Sequence, residues 1–143
     1  MKEKIILSIV TPEKVYLSEG AVDFVTLPAA QGEMGILPGH ISYVVQLKDG
    51  FLRYSSDGEE EMFAILGGFA QVDKNKVIVL AEGAELTKEI DEELTRQEYQ
   101  KAKDDLSKKG AAIDLDAANA SLRRSSLRIK ALEFKNKLKR RKK

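Results

Sequence analysis

The stretch VIVLAEGAELTKEIDEE, residues 77 to 93, contains the change of rule on which the fold turns. Its first four residues form a β-branched apolar run of strand length. After Glu82 the glycines and β-branched runs largely stop, and the composition turns to Ala, Glu, Lys, Leu and Arg, the strong helix formers. Asp91, Glu92 and Glu93 place negative charge where a helix beginning near residue 90 would expose its positive dipole end.

Upstream, from residue 4 to about residue 82, apolar residues recur every second position and turn signals interrupt them at short intervals. Ile5, Leu7 and Ile9 fall on one face of a strand, and Val22, Phe24 and Thr26 on one face of another. Further runs occupy Ile41 to Leu47, Phe51 to Tyr54, Met62 to Leu66 and Val77 to Leu80. Ser55-Ser-Asp-Gly58 and Asp73-Lys-Asn-Lys76 have the composition of hairpin turns. About ten short strands at this spacing predict an all-β sandwich or barrel over residues 1–85.

Downstream, residues 86–143 predict an antiparallel α-helical hairpin with a basic C-terminal tail. Lys108-Lys109-Gly110 would end the first helix, and Asp114 or Asp116 would cap the second. The second helix carries one apolar seam at Leu115, Ala118, Leu122, Ser125, Ile129 and Leu132, and a parallel stripe at Leu127, Ala131, Phe134 and Leu138. The first helix offers only Leu94, Tyr99, Ala102 and Leu106. Burial on so thin a side is worth only a few kcal/mol at ~25 cal/mol per Å². Such a hairpin suits a movable element, and a permanently docked pair fits the same pattern.

The 143 residues include no cysteine and one histidine, which excludes disulfides, thiolate metal sites and cysteine nucleophiles. There is no signal-peptide pattern and no run approaching the ~20 apolar residues of a membrane span. The net charge of +1 conceals a division: residues 1–110 carry 13 basic and 20 acidic side chains, residues 111–143 carry 11 and 3. A basic tail on an acidic body fits either a polyanionic partner or docking on its own acidic half.

Candidate chemistry is sparse. His40 follows Pro38-Gly39 at the start of an apolar strand, with Ser42 nearby but no nucleophile elbow or metal motif, so it reads as a structural residue. Gly32, Gly35 and Gly39 read as turn or bulge positions. Gly67-Gly68 lacks the phosphate-loop pattern and precedes a strand, and Asp57-Gly-Glu-Glu-Glu61 reads as a solvated hairpin tip. The tail from Lys135 onward allows non-specific binding to nucleic acid, although only Phe134 beside it could stack on a base.

Taken together, Ile9-Val-Thr-Pro12, Gly32-Glu-Met-Gly-Ile-Leu-Pro-Gly-His40, Gly67-Gly-Phe-Ala-Gln-Val72, Val77 to Glu82, Glu85 and Ile90-Asp91 resemble the ε subunit of the F-type ATP synthase over nearly the whole chain. The resemblance implies a non-catalytic part of the central rotor stalk, at the cytoplasmic face of a bacterial plasma membrane and peripheral to it. It implies a sandwich bound to the γ subunit and seated on the c-ring, with Glu33 and His40 near subunit contacts. It also implies a hairpin that can extend toward the catalytic α and β subunits and restrain ATP hydrolysis. Arg123, Arg124, Arg128 and Lys130 would meet an acidic loop of the β subunit there.

Some bacterial members bind ATP through an Ile-Asp-x-x-Arg-Ala motif, a preceding Glu and arginines of the second helix. Glu85, Ile90, Asp91, Arg124 and Arg128 match that set; Leu94 and Thr95 stand where the motif has Arg and Ala, and Lys101 replaces a further arginine. The expectation is no cofactor, with ATP at most a weak regulatory ligand. The other reading of the chain is a small β-domain protein that binds nucleic acid through its tail.

Overall fold

The computed structural model describes residues 3–107 and 115–141, apart from the side chains of His40 and of residues 138–141. The chain divides into two compact units, Met1–Leu86 and Thr87–Lys143. The first contains β1 (Ile5–Val10), β2 (Val15–Val22), β3 (Phe24–Ala29), β4 (Gly32–Ile36), β5 (His40–Gln46), β6 (Gly50–Ser56), β7 (Glu59–Leu66), β8 (Phe69–Lys74), β9 (Lys76–Leu80) and β10 (Gly83–Leu86). They form two five-stranded sheets, ordered β2-β1-β9-β8-β5 and β10-β7-β6-β3-β4. This is the expected β-sandwich.

The alternation read in β1 is the core pattern: Ile5, Leu7 and Ile9 are fully buried. Val72, Val77 and Val79 join them from the same sheet, and Val25, Leu27, Ile36, Leu52 and Ile65 from the other. Period-2 patterning thus places both inner faces against each other across the sandwich. Tyr54 and Tyr16 pack on the Phe63 ring from two directions, with centroids 6.2 and 5.9 Å away.

Val22, Phe24 and Thr26 do not share a strand. Val22 ends β2 in one sheet, and Phe24 opens β3 in the other, 38% exposed. The crossing falls at Asp23, whose carboxylate accepts from the Lys4 ammonium and, at 2.8 Å, from the N–H of Asp57. Lys4 also donates to Asp57 at 2.9 Å. The cation at the acidic hairpin tip is therefore the chain's own lysine.

Gly67 and Gly68 carry β7 of one sheet into β8 of the other at φ of 55° and 103°. A Cβ on Gly68 would lie 2.1 Å from the Leu80 carbonyl oxygen, so the glycine serves a close strand crossing. Gly32 and Gly39 have φ of 137° and 83°, as expected of turn positions. Gly35 has no such backbone; it lies within β4, where a Cβ would come 3.2 Å from the Phe24 ring.

The second unit opens with a 3-10 turn, Thr87–Glu89, followed by α1 (Glu92–Ser107) and α2 (Leu115–Arg141). Asp91 caps α1: its Oδ1 accepts the Leu94 N–H at 2.9 Å. Thr95, in helical step with Tyr99 and Ala102, is buried at 3% exposure, while Leu94, expected on the buried side, is one position out of that phase and 54% exposed. In α2, Ala118, Ser125 and Leu132 are buried as the seam requires, whereas Leu115 is 55% exposed at the start of the helix. Asp116 lies within α2 and is not its cap. The expected stop at Lys108-Lys109-Gly110, the Asp114 cap and the Leu138 side chain lie outside the described residues.

Candidate functional site

The ladder registers of β5, β8, β9 and β1 fix which side chains share the outer face of their sheet. Gln46, Phe69, Leu80 and Val10 form one outward row, and Val44, Gln71, Ile78 and Ser8 the next. Their neighbours Val45, Ala70, Val79 and Ile9 point inward and are buried. In β8 the usual order is reversed: the aromatic Phe69 faces outward, 54% exposed, and the small Ala70 faces the core. Val44 and Leu80, 68% and 54% exposed, extend the same outward apolar surface.

At one end of this sheet, two residues of β5, Ile41 and Ser42, stand against one of β8 between the His40–Lys74 and Tyr43–Val72 pairs. This β-bulge leaves Ile41 76% exposed, and Leu37 in the preceding loop is 61% exposed. The loop is fixed rather than slack: Gly39 N–H donates to Asn75 Oδ1 at 2.7 Å, and Tyr43 O–H donates to Met34 Sδ at 3.0 Å. Burial pushes the Tyr43 phenol above its ordinary range. Ser42 donates to Asp73 at 2.6 Å, a surface pair.

Glu33 and His40 lie on different sheets. Glu33, on β4, is ion-paired with Arg53, and the His40 backbone pairs with Lys74. No group of three or more ionisable side chains able to hold a metal occurs among the described residues.

The nucleotide-binding candidates divide between the units. Glu85 is half-buried in β10, opposite Ala64 of β7. Within the helical unit Ile90 is buried at 6% exposure and Asp91 is occupied in capping. Arg124 and Arg128 lie one turn apart on α2, but Arg128 donates to Glu98 Oε2 of α1 at 2.6 Å. Arg123, Arg124 and Lys130 are exposed. Sequence reasoning did not identify the outward row of Phe69 and Leu80, with Val44 in the row beside it, nor Glu98. The signal for the row was there: Val77 to Leu80 is apolar without alternation, the pattern of a strand covered on both faces.

Residues 4–87 match the family model described as ATP synthase, Delta/Epsilon chain, beta-sandwich domain. A protein of Desulforamulus reducens named ATP synthase epsilon chain is 44% identical over 127 residues, covering 89% of this chain and 96% of that protein. A protein of the same name from Symbiobacterium thermophilum is 39% identical, covering 87% and 90%. Among solved structures, a chain of the Euglena gracilis mitochondrial ATP synthase OSCP/F1/c-ring assembly aligns with a TM-score of 0.75 at 27% identity, over 92% of this chain and 83% of that one. A chain of the Tetrahymena thermophila mitochondrial ATP synthase central stalk and c-ring shares the fold at a TM-score of 0.54 and 22% identity, covering 89% and 93%.

Proposed function

The chain belongs to the ATP synthase epsilon-chain family, the non-catalytic subunits of the rotary complex's central stalk, and from that premise we propose that its outward apolar sheet face is the surface that docks on the γ subunit. The observation carrying this is the pair Phe69 and Leu80 in one outward row with Val44 in the row beside it, large apolar side chains exposed on one sheet face. An exposed apolar patch on a well-packed domain marks an interaction surface. The rigid bulged end bearing Leu37 and Ile41 faces the c-ring, with Glu33 and His40 nearby, so that torque passes through a sandwich that does not deform.

The helical unit supplies the regulatory arm. Arg123, Arg124, Arg128 and Lys130 engage acidic surface on the catalytic α and β subunits when the hairpin extends, restraining hydrolysis. ATP is at most a weak ligand here. The motif arginine is Leu94, the Asp91 carboxylate caps its own helix, and Arg128 already holds a carboxylate. The complex holds the chain at the cytoplasmic face of a bacterial plasma membrane; no described helix is long and apolar enough to cross one. Family membership leaves the nucleic-acid reading without support.

The docking surface is tested by Phe69→Ser in the assembled complex. The sandwich keeps its far-ultraviolet spectrum and melting temperature, while affinity for the γ subunit falls at least about tenfold, the effect of losing ~1.4 kcal/mol of aromatic burial. Retention of Phe69→Ser at wild-type stoichiometry and affinity would place the γ contact elsewhere.

A further inference from the structure

The buried side chains of the helical unit are an unusual set for an interior. On α1 the residues below a tenth exposure are Thr95 and Ala102, at 3% and 2%. On α2 they include Ala118, Ser125 and Ala131 beside Leu127 and Leu132. Small and hydroxylated side chains bring little apolar area out of water, so each contributes little to holding one helix against another. Nor does the Ser125 hydroxyl act across the helices: it donates to the carbonyls of Ser121 and Leu122 in its own helix, at 2.8 and 3.3 Å.

Several polar contacts of α1 run along that helix alone. Arg96 pairs with Glu92 one turn away at 3.2 Å, Gln100 donates to Asp104 at 3.0 Å, and the Lys103 ammonium lies 5.4 Å from the Tyr99 ring centroid. Glu98 and Arg128 differ in kind, since their 2.6 Å contact spans 30 residues and crosses from α1 to α2. Both ends are partly withdrawn from water, with side-chain exposures of 25% for Arg128 and 39% for Glu98. A charge-assisted hydrogen bond in such a position is stronger than its fully exposed equivalent. Arg128 also lies among like charges, with Arg124 one turn before it and Lys130 two residues after. Without a carboxylate facing it, that run repels itself.

We propose that Glu98 is a built-in counter-ion that latches α1 to α2 through Arg128, so that closure of this hairpin is set by the chain's own carboxylate and requires no bound phosphate compound. Opening then exchanges one carboxylate partner of Arg128 for another, and ionic strength weakens the closed state. An anion that closed the hairpin would first have to displace Glu98. The inference concerns the helical unit alone and stands whether or not the docking surface on the sandwich is correctly assigned.

Amide hydrogen exchange on the isolated full-length chain tests it, with the sandwich amides as an internal control for folding. Glu98→Gln and Arg128→Gln each accelerate exchange in α1 and α2 about threefold to fivefold, the effect of a half-exposed ion pair. In the Arg128→Gln background, Glu98→Gln adds no further acceleration, because both remove the same interaction. Raising salt from about 0.05 M to about 1 M accelerates the wild-type helices and leaves Glu98→Gln nearly unmoved, since screening then acts within about 3 Å. About 1 mM MgATP leaves wild-type exchange unchanged, as a ligand without differential affinity for the closed state must. Single variants that exchange like wild type, additive effects in the double variant, or slowing of wild-type exchange by MgATP would each overturn the latch.

Discussion

The two units of this chain are held by different forces. In the sandwich Ile5, Leu7, Ile9, Leu27, Ile36, Leu52 and Ile65 are fully buried, large and branched. In the helical unit the most buried positions include Ala102, Ala131, Thr95 and Ser125. The first interior is fixed by shape and apolar area, which salt does not weaken; the second leaves a larger share to caps and charge pairs, which partners can exchange. The difference fits a rigid element that transmits and an arm that can be repositioned. The strongest way to break the comparison is Leu52→Ala, which should cost the sandwich about 2–5 kcal/mol in denaturant titration. A loss below about 1 kcal/mol would mean that the sandwich interior is as forgiving as the hairpin's.

The helical unit should respond to a smaller change of another kind. Asp91→Ala removes the side-chain acceptor of the Leu94 N–H and leaves the apolar interior untouched. The expected cost is about 1 kcal/mol, confined to the first turn of α1 and read as faster amide exchange there with the sandwich unaffected. Exchange unchanged at the start of α1 would show that the 3-10 turn at Thr87–Glu89, and not the carboxylate, fixes the helix start.

How much of this the sequence discloses follows the same division. Where one strand alternates against one core, as in Ile5, Leu7 and Ile9, period alone identifies the buried face. The reading fails at Val22, Phe24 and Thr26 because their alternation runs on through Asp23, where the chain passes from one sheet to the other. Nothing local marks that crossing; the lysine that Asp23 accepts from there, Lys4, is 19 residues away. Leu94 misled for another reason: in a helix so poor in apolar residues few positions reveal the phase, and Thr95 rather than Leu94 is in step with Tyr99 and Ala102. The outward row of Phe69 and Leu80 was hidden because an apolar strand reads alike whether its second side meets core or a partner. The Glu98–Arg128 pair was hidden by abundance, since a helix with many charges does not say which one faces its neighbour.

The smallest expected effect concerns pH and lies wholly in the sandwich. Lys4 is held above its ordinary range by the Asp23 hydrogen bond first and the Asp57 bond second, and Tyr43 is raised by burial. Both shifts favour the protonated form in the folded state. For Lys4 that form is the cation in the clasp; for Tyr43 it is the neutral phenol donating to Met34. A group whose folded pKa is raised contributes stability that is complete below its unfolded value and is lost as pH rises through the folded one. The unfolded values are 10.5 and 10.0, so sandwich stability should decline from about pH 10 upward. Lys4→Met should reduce that alkaline slope while lowering stability at neutral pH, because the Asp23 and Asp57 carboxylates then lose their shared cation. If Lys4→Met keeps the full alkaline slope in denaturant titrations at successive pH values, Tyr43 carries it, and Tyr43→Phe should remove it.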